Sequence, residues 1–232
     1  MKEGAGAKRK AQQRVAGVVA PSGSMSVVVR VVALVPRDGL LVLTTRSHDG
    51  KAALPHALLH VGFAPEQAVG RALDASGLNA EVTSLLDATF GPGDDGVLTL
   101  SYLTLLPTST AQPSGPLQFI PFTEAAASSA IDNGVLHRAR VVALNRVEDL
   151  REMVGLVGEP FTLSELRRAY ESLLGRTLEP ANFTHRLRPA KRPTAYLKAT
   201  GGIRGTAGRG RESQLLKLAG AAVPRMHFAE DP

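Results

Sequence analysis

The sequence predicts an α+β chain of two domains, and three features carry that expectation. Strand-like runs surround a single amphipathic helix between residues 26 and 122. Helical periodicity then takes over. The charge changes sign along the chain as well: residues 26–150 hold eight Lys/Arg against twelve Asp/Glu, whereas residues 151–232 hold fourteen against eight. An acidic body joined to a cationic C-terminal module points to nucleic acid as the partner of that module.

With 232 residues the chain can form two modest domains, each with its own core. It contains no cysteine, which excludes a disulfide framework, a thiolate nucleophile and Cys-ligated zinc, and fits a reducing cytoplasm. The longest apolar runs are strand-length, so no membrane partner is expected. Residues 1–25 carry five Lys/Arg and one acid. The apolar "VAGVVA" after Lys8, Arg9 and Lys10 is too short for a secretory signal, and 1–25 reads as a disordered basic tail.

The elements follow in order. "SVVVRVVALV", "PRDG" and "LLVLTTR" predict a strand, a turn and a strand over residues 26–46. In "LPHALLHVGFAPEQAVGRALDASGL", Pro65 suits a first helical turn, Ala68, Val69, Ala72 and Leu73 form one apolar face, and Gly77 suits a C-terminal cap. "EVTSLLDATF", "GPGDDG" and "VLTLSYLTLLP" predict strand, turn, strand, with a loop at "TSTAQPSGP". Over 124–154, Leu136, Val141, Leu144, Val147, Leu150 and Val154 recur at helical spacings, so 123–160 is expected to be a helical connector.

From residue 161 to 220 the pattern is a winged helix, with 221–232 left as a C-terminal tail. "FTLSELRRAYESLLG" places Thr162 and Glu165 in capping-box register and ends on Gly175. "EPANFTHRLRP" is a short helix bounded by prolines. Phe183 and Leu187 share its inner face, which turns Asn182, His185 and Arg188 outward with Thr184 and Arg186 on the flanks. "TAYLKAT", a Gly/Arg-rich tip "GGIRGTAGRGR" and "SQLLKL" complete a basic hairpin.

No acid occurs between Glu179 and Glu212. Arg186, Arg188, Lys191, Arg192, Lys198, Arg204, Arg209 and Arg211 are therefore expected to meet DNA phosphates, by ion pairing and counterion release. Asn182, His185 and Arg188 can reach base edges in the major groove of double-stranded DNA, with Thr184 assisting.

Residues 54–78 resemble the Nudix box: a glycine, five residues, a glutamate, seven residues, then Arg-Glu-apolar-any-Glu-Glu-any-Gly-apolar. Leu54, Pro55, Arg71, Leu73, Gly77 and Leu78 match it. Ala57 replaces the first glycine, Phe63 and Ala72 replace glutamates, and Ala75 and Ser76 stand where the glutamate pair belongs in a helix one residue short. Magnesium and manganese need hard oxygen ligands. Glu66 and Asp74 lie eight apart with no carboxylate between them, which leaves no metal site, no catalytic residue and no cofactor. His56 and His60 have no third ligand nearby, so zinc is not expected either.

A degenerate Nudix domain followed by a winged helix resembles the NrtR family of Nudix-related transcriptional regulators over residues 26–218. The resemblance implies a Nudix-like α/β/α sandwich before a winged helix-turn-helix domain. It also implies a cytoplasmic homodimeric repressor on palindromic operators, with ADP-ribose or a related nicotinamide metabolite or sugar as effector. Arg46 at the end of a core strand, Arg71 of the box and Phe90 of "TFG" are the effector-binding residues it implies. Two alternatives stand beside it: an active Nudix-type pyrophosphohydrolase with an appended nucleic-acid module, and a sequence-tolerant nucleic-acid-associated protein.

Overall fold

The structure, a computed structural model, describes residues 25–74, 78, 84–90, 96–113, 115–187, 196–204, 213–220 and 225–226. Its first half is built on β1 (Ser26–Pro36), whose near-continuous apolar run is buried on both faces. Val29, Val31, Ala33 and Val35 face one way; Val32 and Leu34 face the other. β1 turns through Asp38 and Gly39, both at positive φ, into β2 (Leu40–Arg46), with Pro36 opposite Leu40. That is the predicted hairpin.

The hairpin pairs only near its turn, because the N-terminal part of β1 takes a different partner. After the short β3 (Ala52–Ala53) on the end of β2, β4 (His56–Leu59) runs antiparallel to residues 27–30 of β1. The other edge of β1 pairs in parallel with β6 (Val97–Leu105), which is antiparallel to the outer strand β5 (Ser84–Phe90). β7 (Leu117–Pro121) lies antiparallel to β2. Its five residues follow a polar loop and show little periodicity of their own, so only the ladder offered by β2 makes them a strand.

Helices cover both faces of this mixed sheet. α1 (Pro65–Asp74) buries Ala68, Val69 and Leu73 against the Val29 face of β1, as its spacing predicts. On the opposite face lie α2 (Phe122–Ala127), α3 (Asn133–Val147) and α4 (Leu150–Val157). α3 packs on β5 and β6, so it forms the third layer of an α/β/α sandwich. Its buried stripe is Val135, Leu136, Ala139, Ala143 and Val147. Val141, expected on the apolar face, is 57% exposed instead, because at about 100° per residue it falls on the side of α3 opposite this stripe.

The same core continues into the second half. α5 (Leu163–Leu174) buries Leu166, Ala169, Tyr170 and Leu173 in one cluster with Val32, Leu34, Leu103 and the inner face of α3. Tyr170 Oη donates to the Val147 carbonyl at 2.9 Å, and burial, reinforced by Asp149, pushes its ionisation far up. Arg140 of α3 donates to the Leu173 carbonyl at 2.8 Å and to the Leu174 carbonyl, capping α5 from outside. Gly175, left-handed at φ 68°, makes room for it.

α6 (Pro180–Leu187) and the hairpin of β8 (Leu197–Arg204) and β9 (Ser213–Leu218) complete the winged helix. Phe161 bridges Leu216 of β9, giving the wing a one-residue third strand. β8 continues through Gly201 and Gly202 by way of a bulge, so those glycines belong to the strand and not to the tip predicted from the sequence. Among the described residues no helix is long and apolar enough to cross a membrane.

At Gly175 an added Cβ would stand 2.5 Å from the Arg140 guanidinium in a backbone conformation that L side chains rarely adopt. We expect Gly175→Ala to destabilise the protein by about 1–3 kcal/mol, combining left-handed strand-free strain with loss of the Arg140 cap. Urea unfolding of the variant against the parent checks this.

Candidate nucleic-acid interface

The capping box predicted for α5 is present. Thr162 N–H donates to Glu165 Oε2 at 2.8 Å, and Glu165 N–H donates to Thr162 Oγ1 at 3.2 Å. Gly175 N–H closes the far end on the Glu171 carbonyl. α6 then starts at Pro180, with Glu179 before it. The Glu179 carboxylate accepts the Asn182 N–H at 2.6 Å; that bond and a second from the Ala181 N–H hold its pKa below the usual range. Glu179 thus caps the helix that carries the outward polar face, a role that a search for basic residues overlooks.

That face has the predicted form. Phe183 and Leu187 are buried, with Phe183 edge-on to Tyr170 at 5.9 Å, while Asn182 and His185 are exposed. Thr184 and Arg186 are half-buried on the flanks. Thr184 Oγ1 donates to the Pro180 carbonyl at 2.8 Å, so its hydrogen is engaged within the helix and its oxygen remains an acceptor. Arg188, Lys191, Arg192, Arg209 and Arg211 lie outside the described residues.

Arg204 lies in β8, but its guanidinium is folded onto the second domain's own backbone. It pairs with Glu165 and donates to the Pro160 carbonyl at 3.3 Å. Burial disfavours the charged form of Glu165, yet the Thr162 N–H and the Arg204 pair outweigh it and leave the carboxyl below its usual pKa. Arg204 therefore joins the wing to the start of α5 in addition to whatever it offers a phosphate.

In the first domain, the three residues expected to bind an effector make no contact with one another. Arg71 lies over the ring of Phe63 at 4.4 Å, a cation–π contact. His60 meets the same ring edge-on at 6.4 Å. Arg46 is exposed at the end of β2, and Phe90 is 72% exposed at the end of the outer strand β5. Among the described residues no hydrogen bond, ion pair or ring contact links Arg46, Arg71 and Phe90 to one another.

A cleft of about 290 Å³ opens on the other side of the sheet, lined by Val28, Arg30, Leu54, His56, Ile131 and Asp132 among others. Arg30 and His56 face each other as Cα partners on β1 and β4, and His56 Nδ1 lies 3.2 Å from the Leu54 carbonyl. The signal for this cleft is visible in hindsight as the single arginine interrupting "SVVVRVVALV". No cluster of three metal-ligating side chains occurs among the described residues.

Fold and site together define a Nudix-like sandwich carrying an NrtR-like DNA-binding winged helix. Residues 153–218 match the NrtR DNA-binding winged helix domain. NrtR of Shewanella oneidensis, crystallised alone and with a 27mer DNA, is similar in fold at 22% identity and a TM-score of 0.61. That likeness covers 83% of this chain and 94% of the free protein, or 93% in the DNA complex. A MutT/nudix family protein from Enterococcus faecalis is similar at 20% identity and a TM-score of 0.55, over 86% of this chain and 90% of the other. No curated protein sequence matches the chain significantly.

The depressed pKa of Glu165 has a pH consequence. Its stabilising contribution is fully present above the unfolded carboxyl value of 4.5 and is lost as pH falls through the lower folded value. We expect the stability gap between the parent and Glu165→Gln to be largest above about pH 5 and to shrink in more acid solution, as measured by urea unfolding across that range.

Proposed function

We propose that the chain is a transcriptional repressor that binds palindromic duplex DNA as a homodimer, and that its Nudix-like domain senses a small metabolite without hydrolysing it. The observation that carries the reading is the outward face of α6, where Asn182 and His185 stand exposed on a helix anchored by Phe183 and Leu187. Support comes from the NrtR DNA-binding family match and from the acid-free run between Glu179 and Glu212. A two-fold operator is matched by a two-fold protein, with the first domain and α3 as the shared surface.

In this reading Asn182, His185 and Arg188 discriminate between bases, with Thr184 and Arg186 beside them. Lys191, Arg192, Arg204, Arg209 and Arg211 hold phosphates. The effector is a compact nucleotide-like or sugar-like metabolite, ADP-ribose among the candidates, approached by Arg46, Arg71 and Phe90.

Fluorescence titration of a duplex from the protein's own promoter, against a scrambled duplex at two salt concentrations, tests the reading. The promoter duplex should bind more tightly, with two chains per duplex. Asn182→Ala or His185→Ala should cost about 1–3 kcal/mol on the promoter duplex and little on the scrambled one. Arg209→Ala or Arg211→Ala should weaken both and flatten the log–log salt dependence by about one unit. Equal affinity for both duplexes would favour a sequence-tolerant nucleic-acid binder instead.

Catalytic silence follows from the replacements at Phe63, Ala72, Ala75 and Ser76. The pure protein should release no phosphate or nucleotide from ADP-ribose or NADH with magnesium or manganese, and Phe63→Glu should not restore turnover. Metal-dependent hydrolysis at ordinary enzymatic rates would identify a pyrophosphohydrolase with an appended nucleic-acid module.

A further inference from the structure

The two halves of the chain meet at a second cleft, of about 270 Å³, which none of the Nudix-box residues and none of the α6 face lines. One wall is the β1–β2 turn with Arg37 and Asp38, continued by Ser109 of the loop after β6. The other wall is Glu165 and Arg168 of α5 with Arg204 of β8. Both sides are fixed in place. Gly39 N–H donates to Ser172 Oγ at 3.2 Å, and Thr108 N–H donates to the Leu156 carbonyl at 2.7 Å, so the turn and the loop are docked on the helices.

Three arginines therefore line the seam from both halves, against the two carboxylates of Asp38 and Glu165. Arg204 is paired with Glu165. Arg37 donates from Nη1 to the Thr110 carbonyl at 2.7 Å, while its Nε and Nη2 make no hydrogen bond among the described residues. The Arg168 side chain has neither a hydrogen bond nor an ion pair among the described residues, although it shares the cleft with Arg37. With Arg204 paired to Glu165, the remaining charged lining is Arg37, Arg168 and Asp38, a net positive charge that an anion offsets. The planar forks of arginine suit a phosphate's oxygens.

We propose that this seam binds a compact phosphate-bearing small molecule, held by Arg37 from the sandwich and by Arg168 and Arg204 from the winged helix. Its volume is at the small end for ligand pockets, which fits a free phosphate, a diphosphate or a small phosphate ester and is tight for a dinucleotide. A phosphate here competes with Glu165 for Arg204. It also ties the β1–β2 turn to α5, so occupancy is felt at the base of the wing. The site does not depend on the DNA-binding reading and is separate from the Nudix box.

The test is calorimetric titration of the full-length protein with pyrophosphate, without DNA or divalent metal, at an ionic strength held constant with sodium chloride. One saturable site per chain is expected, with affinity at least tenfold weaker in Arg37→Gln and in Arg168→Gln. Arg37 also holds the 108–110 loop, and its variant can lose fold. Arg168, with no partner to lose, then carries the test, its integrity checked by the parent's unfolding curve. Absence of saturable binding would overturn the proposal. So would binding that Arg168→Gln leaves unchanged, or binding that is weakened only by Arg71→Gln or by Arg209→Gln, which would place the anion in the Nudix-box region or on the wing.

Discussion

The arrangement of this protein depends on how α5 is held against α3. Tyr170 buries its ring beneath the winged helix and gives its hydroxyl to the last turn of α3, while Arg140 reaches from α3 to the exposed carbonyls at the end of α5. A buried tyrosine hydroxyl without a partner would cost about 1–3 kcal/mol, so the bond selects one seating of α5. Arg140 also lies over the Phe122 ring at 5.8 Å, which ties the same cap back to α2. Around these polar links the apolar core runs without a break from Val32 and Leu34 of the sheet to Phe183, Leu187 and Leu216 of the winged helix. Burial of that surface is the main favourable term; the polar links decide its geometry.

Such a junction has a functional consequence. Domains joined by a small polar contact swing freely, whereas a shared apolar core moves them together. The outward face of α6 is thereby referenced to the sheet through Phe183, Tyr170 and α3. A change in the sandwich can reach α6 by repacking this path, and two-state behaviour of the core is the physical requirement for it. Arg71 lies over the ring of Phe63 at the surface, and the helix that carries Arg71 keeps its apolar face buried against β1.

Local chemistry was the legible part of the sequence. Thr162 and Glu165 form a capping box, Gly175 ends α5, and Phe183 with Leu187 sets the outward face of α6, because each depends on residues within one or two turns. The α1 face was legible for the same reason. What depends on distant partners was not. β7 exists only because β2 offers an edge, and Arg204 is claimed by Glu165, 39 positions away. Arg46, Arg71 and Phe90 followed from a family pattern, while the cleft around Arg30 and His56 is created by pairing β1 with β4, which no local spacing announces.

Entry of α6 into the major groove of duplex DNA is tested by methylation interference: a promoter duplex methylated sparsely at guanine N7 is bound by the full-length protein, and free and bound fractions are cleaved at the modified guanines. N7 lies in the major groove, where a bound helix crowds it. Methyl groups at a few guanines, repeated symmetrically about the operator centre, should be depleted from the bound fraction. An identical cleavage pattern in the two fractions, with binding retained, would rule out a helix in the groove.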